Sequence, residues 1–127
     1  MISGATPNIK ERERGIVSAL PSEIWERVAV TETQGNHTFA IEEMRRWAET
    51  MPDLTAIVVT NGGPMKQVEL WTQLTSDFPD ITFVSGDDHA EALKHLKRNK
   101  VHGLVGQVSR LLRCWGSFAT VFVLFNI

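Results

Sequence analysis

Four short runs rich in apolar and β-branched residues recur along the chain, at 27–31, 54–60, 81–85 and 101–106, and each predicts a β-strand. The run Leu54-Thr55-Ala56-Ile57-Val58-Val59-Thr60 is apolar on both faces, the pattern of a strand covered on two sides. Each run stops at a polar or turn-forming residue. The stops are Gln34-Gly35-Asn36, Asn61-Gly62-Gly63-Pro64, Gly86-Asp87-Asp88 and Gln107.

Between these runs the apolar spacing changes to the helical period. In 38–51, Ala40, Ile41, Met44, Trp47, Ala48 and Met51 share one stripe, while Glu42, Glu43, Arg45, Arg46 and Glu49 face away from it. Residues 64–78 repeat the pattern with Val68, Trp71, Leu74 and Phe78, and Pro64 suits a first helical turn. A shorter helix is expected at 89–98 with Ala90, Leu93 and Leu96 inward, capped by Asp88 with Glu91 three residues on. Residues 8–20 carry Ile9, Ile16, Val17 and Leu20 on one side of a heavily charged segment.

Strands and helices alternating at these lengths require parallel neighbours joined by crossover helices. The expected fold class is α/β, a flavodoxin-like doubly wound parallel sheet. In such a sheet Asn61, Asp87 and Gln107 all emerge at the carboxyl ends of strands, the edge where open α/β sheets bind ligands. Each also has a plain structural reading. Asn61-Gly62-Gly63 is a good turn in any protein, and Asp87 beside Asp88 could cap the next helix.

Composition narrows the function class. With 127 residues, 43 % hydrophobic and 22 % charged, the chain suits one globular domain. A net charge of −2 with interspersed signs argues against nucleic acid as a partner, and the mixed run Lys10-Glu11-Arg12-Glu13-Arg14 reads as a solvated helix face. The lone Cys114 excludes an internal disulfide. His37, His89, His95 and His102 lack metal-ligand spacing, and no nucleophile elbow, phosphate loop or dinucleotide fingerprint occurs, so neither a metal nor a cofactor is expected.

Both ends depart from a regular doubly wound domain. Only Met1-Ile2-Ser3 stands where a central first strand belongs. After Gln107 the character changes, and residues 118–127 hold three of the six phenylalanines. That tail is shorter than the roughly 20 apolar residues of a membrane span. It reads either as a final buried strand or as the point where the chain stops inside a larger protein or leaves its frame.

The ordered motifs carry a family resemblance. Residues 4–15, with Arg12 and Gly15 in an Arg-x-x-Gly pattern that opens a helix, are followed by the strand ending in Asn61, by Val84-Ser85-Gly86-Asp87, and by the strand ending in Gln107. This arrangement resembles the C-terminal lobe of type I periplasmic sugar-binding proteins, the substrate-binding components of bacterial ABC transporters, and within them the ribose-binding branch. The likeness spans about residues 2–107, an incomplete C-terminal ligand-binding lobe; residues 108–127 are a divergent hydrophobic tail.

The resemblance implies a periplasmic protein that binds a sugar and performs no catalysis. It also implies a second, N-terminal lobe and a membrane permease as partners; no signal peptide is read in this chain. Asn61, Asp87 and Gln107 match positions that hydrogen-bond sugar hydroxyls, and Lys10 falls where the family often has an arginine that reaches the ligand. Gly35 and Gly86 stand where the ribose-binding branch places phenylalanine, a departure that bears on ribose itself. Trp25, Trp47 and Trp71 are expected in packing rather than as sugar platforms. The effector-binding domain of a LacI-type repressor shares the fold, but the compact stretch 87–107 is more similar to the transporter branch. A small flavodoxin-like enzyme is a third reading.

Overall fold

The structure is a computed structural model that describes residues 1–107 and 121–125. Among these residues the elements run β1 (Ile2–Ser3), α1 (Pro7–Ala19), α2 (Ser22–Trp25), β2 (Thr31–Glu32), α3 (His37–Thr50), β3 (Ala56–Val59), a 3-10 turn (Pro64–Lys66), α4 (Val68–Asp77), β4 (Thr82–Gly86), α5 (Ala90–Lys97), β5 (Gly103–Gln107) and β6 (Val121–Phe125). The sheet order is β2-β1-β3-β4-β5-β6. The first five strands are mutually parallel, and β6 runs antiparallel to β5 with Gln107 opposite Val121. This is the flavodoxin-like doubly wound order, with its switch point between β1 and β3.

The step from β1 to β2 goes to one side of β1 and every later parallel step to the other. Right-handed crossovers therefore place α1 on one face and α3, α4 and α5 on the opposite face. Burial agrees with that division. Ile57, Val59, Phe83 and Ser85 are buried on the three-helix side, whereas the alternate residues Ala56 and Thr82 are exposed and Val58 and Val84 half-buried.

Trp71 anchors the covered side. It packs edge-on to Phe83 with ring centroids 5.6 Å apart, and its indole N–H donates to Lys100 O at 2.8 Å. Met44, Trp47, Met65 and Leu74 fill the space around it. The tryptophans Trp47 and Trp71 are thus core residues, as the helical stripes predict.

Several local expectations change. The strand expected at 27–31 forms only at Thr31–Glu32, because the pairing partner, β1, offers just Ile2 and Ser3. The helix expected over 64–78 is divided, since Gln67 at ψ 70° leaves helical geometry between the 3-10 turn and α4. In α1 only Ile9 is fully buried; Ile16, Val17 and Leu20 remain half-exposed on the sparsely covered face. Asp88 does not cap α5: His89 does, its Nδ1 accepting from Ala92 N at 3.2 Å. The short helix α2 carries too little periodicity to be foreseen. Of the tail, the segment 108–120 and residues 126–127 lie outside the described residues, while 121–125 form the edge strand β6.

Candidate functional site

Strand β4 ends at Gly86, and Asp87 then adopts a left-handed backbone with φ 68°, a conformation that aspartate tolerates better than most residues. The turn brings the Asp87 carboxylate toward the loop after β3. Its Oδ1 accepts from Arg12 Nη1 at 2.9 Å and its Oδ2 accepts from the Gly62 backbone N–H at 3.0 Å. The same Arg12 nitrogen donates to Thr60 O at 2.8 Å, and Asp87 N donates to Val105 O at 2.9 Å. One residue thus joins α1, the end of β3, β4 and β5: its carboxylate meets Arg12 and Gly62, and its backbone N–H meets β5. Its side chain is still 39 % exposed, against 24 % for Arg12, so the pair lies at the surface end of the sheet rather than within the core.

Asn61 occupies the adjoining loop. Its Oδ1 accepts from Gly63 N at 2.9 Å, closing an Asx turn, and its backbone oxygen accepts from Ser85 Oγ at 3.3 Å. The Asn61 amide nitrogen makes no hydrogen bond among the described residues. Gly62 beside it is held on both backbone groups, because His89 Nε2 lies 2.8 Å from Gly62 O.

Two glycines are required by close approach. A Cβ on Gly62 would stand 2.7 Å from His89 Nε2 and 3.1 Å from Gly86 O, and one on Gly86 would stand 2.5 Å from Thr60 O. Any side chain at Gly86 therefore needs β3 and β4 to move apart. An aromatic sugar platform has no room at that position.

The structure brings Asn61 and Asp87 together at the carboxyl edge of the sheet. Gln107 ends β5 on the same edge, since β5 runs parallel to β4 with Val105 opposite Gly86. Lys10 goes elsewhere. Its Nζ is 3.1 Å from Glu13 Oε2 and 2.8 Å from Glu32 Oε2, tying α1 to the edge strand β2. Hydrogen bonds to Glu32 and then Glu13 hold the Lys10 ammonium above the usual lysine range. Ser3 Oγ donates to Glu13 at 2.5 Å, the main reason that this carboxylate lies below the ordinary range.

The cation that meets Asp87 is Arg12, two residues further along α1 and about half a helical turn from Lys10. Its signal is present in the sequence as the arginine of the Arg-x-x-Gly pattern. The open apolar groove of about 1130 Å³ lined by Ile16, Leu20, Ile24, Met51 and Leu54 is at the opposite edge, by the amino ends of the strands near Met1 and Ala56. It is remote from the polar cluster and shares none of its residues.

Chemically the cluster is a fixed acceptor beside donors. Asp87 has about four lone-pair positions, of which two are engaged internally, and Asn61 precedes Gly62, whose N–H holds one of the carboxylate oxygens. Neither a protein-family model nor a curated protein matches the chain.

Proposed function

We propose that residues 1–107 form a sugar-binding lobe that works in the substrate-binding component of a bacterial ABC transporter. The observation that carries this reading is the Asp87 carboxylate, held through both oxygens by Arg12 and Gly62 yet still open to solvent at the loop that Asn61 begins. A hydroxyl is both donor and acceptor. It can donate to the unused lone pairs of Asp87 and accept from Asn61 Nδ2, and the charged partner makes the first of these bonds about twice as strong as a neutral one.

Because the carboxylate is already positioned, little side-chain freedom is lost when ligand arrives. Gln107 ends β5 on the same edge. In this reading a second lobe approaches that edge, and closure over the ligand makes the closed form dominant in proportion to its tighter binding. A membrane permease is the docking partner of the closed form, and the location is periplasmic. The process is binding without bond chemistry. Gly35 and Gly86 provide no stacking surface, so the proposed ligand class is a polyhydroxylated sugar held by hydrogen bonds, with ribose not singled out.

The test is titration of the isotope-labelled chain with D-ribose, D-xylose and D-galactose, followed by amide NMR. One wall of a cleft is expected to hold a sugar with Kd on the order of millimolar, about −4 kcal/mol. Saturable shifts at Asn61, Gly62 and Asp87 that vanish in Asp87→Ala support the reading. Shifts that are absent, or that persist in Asp87→Ala, overturn it.

A further inference from the structure

The His89 ring bonds directly to the loop that holds Asp87. Its two ring nitrogens do different work. Ala92 N–H can only donate, so Nδ1, 3.2 Å away, must be the nitrogen with the lone pair. Nε2 then carries the proton and donates to Gly62 O at 2.8 Å. The two bonds fix the neutral Nε2–H tautomer. One ring therefore caps α5 and braces the loop 61–63.

Gly62 transmits that brace. Its oxygen is held by His89, its N–H holds Asp87 Oδ2, and the lack of a Cβ lets the ring approach. A second proton on the ring would occupy Nδ1, where the Ala92 N–H already points. The ring could no longer accept, two N–H groups would oppose each other, and a cation would sit at the amino end of α5, where the helix dipole disfavours it. The charged groups around His89 are Asp87 and Asp88 in its own loop, Glu91 and His95 along α5, His37 of α3 over Gly63, and Arg12 of α1 through Asp87. The adjoining β5 residues, Gly106 and Gln107, carry no charge.

We infer that His89 is a positioning residue that makes the Asp87 site proton-sensitive: the neutral ring braces Gly62 so that its N–H holds the carboxylate, and protonation of the ring releases the loop. The inference rests on the sugar-binding reading only for its consequence, that ligand is held less tightly in acid. The linkage itself concerns this chain alone.

The experiment is a pH titration of the isotope-labelled full chain, recording the ring nitrogens of His89 together with the amides of Gly62 and Ala92. The expected result is the Nε2–H tautomer in the uncharged ring, and Gly62 and Ala92 shifts that follow the ring's own titration with the same midpoint. His89→Asn keeps a capping side chain that does not titrate but is too short to brace the loop. In it the Ala92 shift becomes independent of pH over that range, and exchange of the Gly62 amide becomes roughly five- to tenfold faster, the loss of about one hydrogen bond. A ring found as the Nδ1–H tautomer, or a Gly62 amide that follows only a carboxylate titration and is unchanged in His89→Asn, overturns the inference. With D-ribose, D-xylose or D-galactose present, affinity that falls with the ring's midpoint supports it, and affinity indifferent to that midpoint overturns it. If none of these sugars binds, the functional reading fails while the amide and ring titrations still decide the linkage.

Discussion

Arg12 Nη1 donates to two oxygens just beyond different strands, Asp87 Oδ1 at 2.9 Å and Thr60 O at 2.8 Å, so a single guanidinium on α1 spans the carboxyl ends of β3 and β4. The geometry suits arginine, whose planar fork serves several acceptors at once, and a lysine ammonium does not reproduce it. Because Thr60 is buried, removal of the donor leaves its carbonyl without that partner.

Arg12→Ala should therefore cost about 1–2 kcal/mol in urea denaturation, a figure already reduced for the exposure of Asp87. Arg12→Lys should recover only part of the loss. Both should weaken sugar binding, because Asp87 loses the bond that orients Oδ1.

Lys10→Met separates the two cations of α1. Lys10 is engaged with Glu13 and Glu32 rather than with Asp87, so sugar shifts at Asn61 and Gly62 should stay as in the parent chain. Its stability effect should be smaller than that of Arg12→Ala and should shrink further in added salt. Loss of the sugar shifts in Lys10→Met would return Lys10 to the site.

Gly86→Ala tests the close approach of β3 and β4. A methyl group 2.5 Å from Thr60 O must displace backbone, and overpacking of this kind costs about 1–3 kcal/mol. The expected outcome is a lower Tm in calorimetry together with loss of the Asp87 to Gly62 bond, seen as faster exchange of the Gly62 amide.

His95 gives a pH dependence of folding with a definite sign. It is buried beneath the 3-10 turn, Nε2 bonds to Met65 O at 3.1 Å and Nδ1 has no partner among the described residues, and burial pushes its pKa below the ordinary 6.5. The unfolded chain then binds the proton more readily than the folded one, so stability is complete above about 6.5 and declines as pH falls from there toward the lowered folded value. Denaturation curves at stepped pH should show this decline in the parent chain, and His95→Gln should flatten it.

Trp71→Phe removes the indole N–H that satisfies Lys100 O while keeping an aromatic ring against Phe83. The cost should be about 0.5–1.5 kcal/mol in urea, the net worth of one hydrogen bond, because the bond is only partly buried. Near-complete retention of stability would mean that Lys100 O finds solvent.

Local pattern made much of this fold legible. The stripe Ala40, Ile41, Met44 and Trp47 buries as its spacing predicts, and Asn61 and Asp87 follow strands whose apolar runs stop at them. Elements supported by few residues were not legible. β2 depends on pairing with a two-residue β1, and a run of small apolar residues at 27–31 cannot say how far its neighbour extends. Capping by His89 was obscured because Asp88 is the better cap by residue type, whereas the Asp88 carboxylate lies against Gly106.

The sequence by itself determined the alternation of elements, the parallel class of the sheet and the edge on which Asn61, Asp87 and Gln107 emerge, since periodicity and turn chemistry act within a few residues. Only the tertiary structure decided which cation meets Asp87. Lys10 and Arg12 lie on one helix, and the choice depends on the rotation of α1 over β1 and on where Glu32 stands in β2. Tertiary structure also decided that Asp87 is held through both oxygens, because those bonds join residues 25 and 75 positions apart whose meeting no local pattern records.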